Sequence, residues 1–183
     1  MQKKFVLAAV LAAAALAACG GGGSGSSADT QEPADTSVAG LNAAYNSMVS
    51  SGQYPTLDRT TSLIGMDANT NGVRDDIDAW LSKQDVAAAA VNPLLASAQA
   101  YQAALTVDVT DQVKTREIAN RTTNAMLCLR LKLGTKAADA LLATVKAYTF
   151  NTSERTTAYL LFDESLSGKS FHLPTRQEAC NAL

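Results

Sequence analysis

The segment 110–134 constrains the fold most, because it has the features of one long amphipathic helix with both ends defined. Thr110 is a suitable N-cap, and Asp111 after it favours the positive end of the helix dipole. Gly134 suits the position just beyond the last turn. Between them a mostly apolar stripe recurs at spacings of three and four residues. Its members are Ile118, Thr122, Ala125, Met126, Leu129 and Leu133, with Cys128 at the flank.

Six other segments carry helical spacing or helix-end signals, and residues 53–66, with no clear period, are predicted as loop. Three of the predicted helices are 37–51, 75–83 and 85–107, and a fourth is capped by Thr135. The fifth begins with the capping-box-like pair Asn151 and Glu154 and stops at Gly168, and the last is a terminal helix 175–182. Pro93 either kinks the helix 85–107 or restarts it with Asn92 as N-cap.

Composition also favours an all-α fold. The chain is alanine-rich, only 5% of it is aromatic, and alternating β-type stretches are hard to find. Several helices joined by short turns predict a small antiparallel helical bundle, with residues 38–183 as one domain. Trp80, Tyr101 and Tyr148 are predicted to belong to its core rather than to a ligand site.

The N-terminus has the composition of an export signal. Lys3 and Lys4 precede an unbroken run of fourteen apolar residues, 5–18, which is too short for a transmembrane helix but suits a signal peptide. The run ends in Leu16-Ala17-Ala18-Cys19, which resembles the lipobox of bacterial lipoproteins. The resemblance implies that residues 1–18 are removed, that the Cys19 thiol receives diacylglycerol and that the new amine is acylated. The alternative is an ordinary signal peptide with a cysteine near its cleavage point.

Residues 19–37 are predicted to be the lipidated cysteine and a flexible tether, because the Gly/Ser run 20–27 and the polar residues after it have no apolar period. As a flexible coil the tether would span roughly 25 Å. In enterobacterial lipoproteins an aspartate after the lipidated cysteine retains the protein in the inner membrane, and Gly20 stands there instead. The resemblance therefore implies a membrane anchor in the cell envelope, in the outer rather than the inner membrane.

The charge balance argues against nucleic acid as a partner. Removing residues 1–18 takes away Lys3 and Lys4 and leaves 13 basic against 17 acidic residues, a net charge of −4 over 165 residues. The sequence has no basic cluster, so electrostatic binding of nucleic acid or anionic lipid is not expected.

Assigning Cys19 to lipid leaves Cys128 and Cys180. Export implies an oxidising compartment, in which a remaining pair tends to form a disulfide. The bridge would hold the C-terminal segment against the helix that carries Cys128. The alternative is two buried free thiols. A catalytic thiol is not expected, because the single histidine, His172, shows no sign of pairing with either cysteine.

Residues 67–78 match the spacing D-x-[DN]-x-[DN]-G with an acid at the twelfth position. Over these twelve residues they resemble the calcium loops of the EF-hand and dockerin class. Calcium takes about six to eight oxygen ligands, and alternate residues of a tight loop can turn their side chains toward one centre. The resemblance implies Ca²⁺ ligation by the side chains of Asp67, Asn69 and Asn71, by the carbonyl of Val73, by Asp75 directly or through water, and by Asp78.

The loop departs from the pattern in three ways. Asp78 stands where glutamate is usual, Arg74 stands where paired EF-hands have an aliphatic residue, and neither an entering helix nor a second loop is predicted. A lone loop-helix site with two amide ligands suggests a dissociation constant on the order of 10⁻⁴ to 10⁻³ M. The alternative is a solvated turn in which Asp75 and Asp76 only favour the dipole of the following helix.

Enzymatic motifs are not evident. One histidine cannot build a multi-histidine zinc site, and His172 is expected to be a surface or packing residue. Gly168-Lys169-Ser170 does not complete a P-loop, because Asp163 occupies the place of the first glycine. An acid/base role for Asp75, Asp76 and Asp78 is explained better by the metal loop.

The sequence therefore predicts a non-enzymatic, membrane-anchored envelope protein in which calcium is mainly structural. The alternative is an envelope binding module that recognises a protein, peptide or glycan partner, and an enzyme ranks third. A large apolar surface patch would favour the binding module, and a deep polar pocket away from the loop would favour an enzyme.

Overall fold

The computed structural model describes residues 35–52 and 54–183, and this part of the chain is all-helical, with no strand. Its helices are α1 (Val38–Ser50), α2 (Asp75–Leu81), α3 (Ala88–Ala104), α4 (Gln112–Leu133), α5 (Thr135–Thr149), α6 (Ser153–Ser165) and α7 (Arg176–Asn181). The predicted all-α helical bundle is confirmed. The predicted signal peptide, Cys19 and nearly all of the tether lie outside the described residues.

α4 is the central helix, and α3, α5 and α7 all pack against it. The stripe predicted on α4 supplies buried Ile118, Ala125 and Leu129, with Met126 and Leu133 partly buried. The main core also takes in the apolar faces of α2, α3 and α5, through residues such as Ile77, Leu94, Leu142, Val145 and Tyr148. Trp80, Tyr101 and Tyr148 pack on this core, as predicted. A smaller cluster forms around Phe162 at the α4–α6 side.

Three predicted caps are wrong, each because a neighbouring residue takes the role. Asp111, not Thr110, caps α4 and accepts from the N–H groups of Val113 and Lys114, each at 3.1 Å. The Thr110 hydroxyl donates to Asp108 Oδ1 instead, at 2.7 Å. Thr135 is the first residue of α5 rather than its cap. Gly134 is the single residue between α4 and α5. Its φ of 78° is a backbone conformation that favours glycine.

The third wrong cap is Asn151. Thr152 precedes α6, and its hydroxyl accepts from the N–H of Arg155 at 3.3 Å. The Asn151 side chain is engaged elsewhere, as described below. A capping box forms at the terminal helix, where it was not predicted. The Thr175 N–H donates to Glu178 Oε2 at 2.8 Å, and the Glu178 N–H donates to the Thr175 hydroxyl at 3.3 Å.

Pro93 neither restarts nor ends its helix. α3 runs without a break from Ala88 to Ala104 with Pro93 inside it. The proline is buried, and the carbonyl of Pro93 accepts from the Ser97 hydroxyl at 2.8 Å. The prediction of a new N-cap at Asn92 is therefore wrong.

The structure joins α7 to α4 through sulfur. The Sγ atoms of Cys128 and Cys180 lie 2.00 Å apart, and the two residues are 52 positions apart in the chain. Cys128 is buried on the flank of the apolar stripe of α4. The α7 helix, six residues long with only Ala179 buried, is thereby attached to the central helix.

None of the helices among the described residues has the length and apolar character needed to cross a membrane.

Candidate metal centre

The loop 67–78 folds into a tight turn around the carboxylate of its first residue. Asp67 accepts from the main-chain N–H groups of Asn71, at 3.2 Å, and Gly72, at 2.9 Å. The turn passes through positive φ at Thr70 (55°) and Gly72 (80°). Glycine adopts this conformation without steric cost, which explains the glycine at the sixth position.

The twelfth residue meets the third and fifth. Asp78 Oδ2 accepts from Asn69 Nδ2 at 2.9 Å and from Asn71 Nδ2 at 2.5 Å. The amide oxygens accept from the main chain: Asn69 Oδ1 from the Asn71 N–H at 3.1 Å, and Asn71 Oδ1 from the Val73 N–H at 2.8 Å. Four predicted ligands, Asp67, Asn69, Asn71 and Asp78, are therefore drawn together by contacts within the loop.

The other two predicted ligands have structural contacts of their own. Asp75 Oδ1 accepts from the Ala68 N–H at 3.0 Å, and the Asp75 N–H donates to the Met66 carbonyl at 2.8 Å, so this residue closes the base of the loop. The side chain of Val73 is fully buried in the main core. Burial of that side chain fixes where the Val73 carbonyl lies relative to the bundle.

Helix α3 holds the outer part of the loop. Gln99 Nε2 donates to the Asn71 carbonyl at 2.8 Å. One turn further along α3, Gln102 Nε2 donates to the carbonyls of Leu63 and Ile64, at 3.3 and 3.0 Å. The loop and the segment before it are therefore braced against a helix of the bundle, although no helix enters the loop.

The donor set suits a hard cation. It consists of carboxylate and amide oxygens and one main-chain carbonyl, the atoms that calcium prefers. Within residues 35–52 and 54–183, no three acidic, histidine or cysteine side chains form a metal-holding group. A site here therefore depends on the amide and carbonyl oxygens, which is what the third, fifth and seventh positions of the pattern provide.

Arg74, the eighth loop residue, is turned into the interior. Its side chain is 1% exposed, and its Nε and Nη2 donate to the two carboxylate oxygens of Asp76 at 2.5 and 2.9 Å. Nη2 also donates to the Tyr148 carbonyl at 2.9 Å. The guanidinium charge is therefore neutralised by Asp76, and the end of the loop is fastened to α5.

A second buried arginine extends this polar network. Arg155, at the start of α6, donates to the carbonyls of Asp58 and Ser62 at 2.6 and 2.7 Å and to Asn151 Oδ1 at 2.8 Å. Asn151 Nδ2 donates in turn to the Asp58 carbonyl at 2.8 Å. The Asp58 N–H donates to Asp76 Oδ2 at 2.6 Å, which joins the two arginine centres.

The network keeps Asp58 ionised. Burial acts to raise the pKa of this carboxyl, but hydrogen bonds from Thr60 and the charges of Arg155 and Arg74 outweigh burial and hold the pKa below its ordinary value. The unfolded value is about 3.9. This contribution to stability is therefore present above that pH and is lost as the pH falls through the folded-state pKa.

Sequence reasoning missed this network. It treated Arg74 only as a departure from the EF-hand pattern, Asp76 as a helix-dipole residue and Asn151 as a cap. The one available signal was a charged residue at the eighth position, where a partner loop normally packs. In this fold the partner of Arg74 is the partly buried carboxylate of Asp76.

A separate cleft of about 450 Å³ brings the single histidine near other polar groups. Its lining includes Arg116, Ser170, His172 and Glu178. Glu178 Oε2 is taken up by the capping box, accepting from the N–H and hydroxyl of Thr175 at 2.8 and 2.9 Å. His172 is exposed, as expected of a surface residue.

In the part of the chain that the structure describes, fold and site together define an all-α domain with an unpaired loop-helix candidate cation site. Contacts of the buried Arg74 with Asp76 and the Tyr148 carbonyl fasten this site to the bundle. No protein-family model, curated protein sequence or solved structure matches the chain.

Proposed function

We propose that this protein is a lipid-anchored component of the bacterial cell envelope whose helical domain binds calcium as a structural ion. The observation that carries the calcium part is the meeting of Asp78 with Asn69 and Asn71, beside a turn closed on Asp67. These side chains are nine and seven positions apart in the chain, and their contacts support the proposal that they surround one centre.

Bound calcium would supply the positive charge that draws the oxygens of Asp67, Asn69, Asn71 and Asp78 to one centre, with the Val73 carbonyl behind them. Asp75 closes the loop base. Arg74 holds the loop end in the core, with its charge satisfied by Asp76. Because α2 starts at Asp75 and buries Ile77, a fixed loop also fixes α2.

Calcium is expected to stabilise the protein. At a free concentration about 100 times the dissociation constant, a single site raises the free energy of unfolding by about 2.7 kcal/mol. Thermal unfolding with and without calcium measures this, and calorimetric titration gives the affinity, expected on the order of 10⁻⁴ to 10⁻³ M. Trp80 in α2 is the chain's single tryptophan and reports on the helix that follows the loop.

Asp78→Asn and Asp67→Asn each remove one ligand charge while keeping the side-chain size, and both are expected to abolish the calcium-dependent rise. Asp85→Asn is the matched control, since it removes one charge from an exposed residue just beyond α2. Absence of binding heat at millimolar calcium, or equal stabilisation of all three variants, would contradict the proposal.

The lipid anchor rests on a different set of residues. Leu16-Ala17-Ala18-Cys19 follows fourteen apolar residues and precedes a Gly/Ser-rich stretch. The Cys128–Cys180 bridge fits an exported protein, because disulfides persist in oxidising compartments. Gly20 favours the outer membrane over the inner. Two or three acyl chains on Cys19 would anchor the protein firmly, whereas one would not.

Metabolic labelling tests the anchor. Cells that express the full chain with a clickable palmitate analogue are expected to label the protein, and the label is expected to disappear in Cys19→Ser. Cys180→Ser is the control, because it removes a different cysteine and is expected to retain the label. Labelling that survives Cys19→Ser would contradict lipidation at Cys19.

An envelope binding module is the second candidate, and one surface favours it. A cleft of about 540 Å³ between α2 and α3 is lined mainly by apolar side chains, among them Leu81, Val86, Val91, Leu94 and Leu95. Asp78 lies at its edge. A partner bound in this cleft would contact the helix that the calcium loop positions.

A further inference from the structure

Helix α1 has an apolar side that the rest of the described structure leaves exposed. None of its residues is buried. Val38, Leu41 and Met48 are 76%, 58% and 40% exposed. Residues three and seven positions apart share one side of a helix, so these side chains form a single apolar strip.

The helix is attached to the body mainly through Tyr45, which lies on the same side of α1, seven positions after Val38 and three before Met48. Tyr45 packs edge-on against Tyr54, with ring centroids 5.5 Å apart, and the Arg59 guanidinium lies 5.1 Å from the centre of the Tyr45 ring. The Tyr54 N–H donates to the Met48 carbonyl at 2.9 Å. These contacts orient α1 and leave the side chains of Val38, Leu41 and Met48 exposed around the attached Tyr45.

We propose that this strip docks on the surface of the lipid bilayer that holds the anchor; the inference rests on the proposed lipidation of Cys19. Only 18 residues separate Cys19 from Val38. As a flexible coil they would span roughly 25 Å. Such a short connection gives α1 an effective concentration in the millimolar range at the surface, so weak contacts suffice.

The chemistry of α1 suits a lipid surface. The helix has thirteen residues and no charged side chain. It can therefore enter the headgroup region without desolvating a charge, and its apolar side can reach the acyl boundary. The mature net charge of −4 gives no electrostatic attraction to anionic lipid. Docking is therefore expected on zwitterionic lipid and is expected to depend little on salt.

A second copy of the chain fits this strip less well. A stable interface buries roughly 800 Å² on each partner, which is far more than three partly exposed side chains offer. Docking on the bilayer does not need a buried area of this size, because the proposed lipid on Cys19 already attaches the protein to the membrane.

Amide hydrogen exchange of a chemically anchored protein tests the docking. In the chain 19–183 with its disulfide intact, Cys19 is the one remaining thiol and couples to a maleimide lipid in phosphatidylcholine vesicles. Exchange within residues 38–50 is expected to be at least tenfold slower on vesicles than in solution. Raising the salt to 0.5 M is expected to leave the protection in place.

The double variant Leu41→Gln with Met48→Gln is expected to lose this protection, and circular dichroism checks that α1 stays helical, since glutamine is a good helix former. Leu160→Gln is the matched control. Leu160 is 57% exposed on α6 and its replacement is expected to leave the protection unchanged.

Two results would overturn the proposal. One is equal exchange on vesicles and in solution. The other is protection that disappears when the protein is diluted among the lipids, which would show that a second copy covers the strip. Because the anchor is attached chemically, neither result depends on whether cells lipidate Cys19, which the palmitate labelling decides separately.

Discussion

Replacing Arg74 with methionine is expected to lower the free energy of unfolding by about 3–5 kcal/mol, the usual cost of leaving a buried charge without its partner. The Asp76 side chain is 13% exposed and would remain in place, because it also accepts from the N–H groups of Asp58 and Ile77 at 2.6 and 2.8 Å. It would lose its counter-charge, and the Tyr148 carbonyl would lose a donor. Urea unfolding followed by Trp80 fluorescence measures the difference.

Arg59→Met is the matched control. It makes the same change at an exposed arginine that rests on Tyr45, and it is expected to cost less than about 1 kcal/mol. Asp76→Asn completes a double-mutant cycle with Arg74→Met. The double variant is expected to lose less free energy of unfolding than the two single variants lose together, because it no longer buries an unpaired charge. Strictly additive losses would show that the pair does not act as a unit.

The arginine network also shows where sequence reasoning stops. Core residues could be predicted, because apolar spacing along a helix indicates which of its faces is buried. Examples are Ile77 and Trp80 on α2, Leu129 on α4 and Val145 on α5. A buried polar contact has no such period. Arg74 meets Asn151 across 77 positions, and Arg155 meets the Asp58 carbonyl across 97. Only the packing of the helices brings these groups together.

The wrong caps have a related cause. Thr110 and Asp111 are both suitable N-caps, as are Asn151 and Thr152, and the sequence does not rank neighbours. In the structure Asp108 engages the Thr110 hydroxyl, and Arg155 engages Asn151 Oδ1. Local propensity placed most helix ends within about two residues, although the predicted helix 85–107 is three residues too long at each end of α3. Competing partners decided which residue caps each helix.

The candidate metal centre was more accessible to prediction, because its contacts lie within twelve consecutive residues. The main-chain N–H groups of Asn71 and Gly72 both donate to the carboxylate of Asp67, the first residue of the pattern. What the pattern could not supply is how an unpaired loop is held. Gln99 on α3 and Arg74 in the core provide the support that a partner loop provides in paired EF-hands. The lipid anchor remains a prediction, since Cys19 lies outside the described residues.

Removing the Cys128–Cys180 bridge is expected to destabilise the protein by about 4 kcal/mol. The bridge closes a loop of 52 residues, and without this closure the unfolded chain gains conformational entropy. The loss should be largest at α7, which buries only Ala179 and depends on the bridge and its capping box to stay on α4. Urea unfolding of Cys128→Ala with Cys180→Ala measures the global loss. Hydrogen exchange of residues 176–181 measures the local loss. The exchange rate of these amides is expected to rise under conditions in which the rest of the bundle is still folded.

The reduced wild-type protein separates the bridge from the packing of its sulfur atoms. It keeps both cysteines, so a reductant should bring its unfolding midpoint close to that of the double alanine variant and leave the variant unchanged. Cys19→Ser is expected to unfold like the wild type in both conditions, because Cys19 lies outside this pair. A reductant that lowers the stability of the double alanine variant as much as that of the wild type would contradict the assignment of the effect to the bridge between α4 and α7.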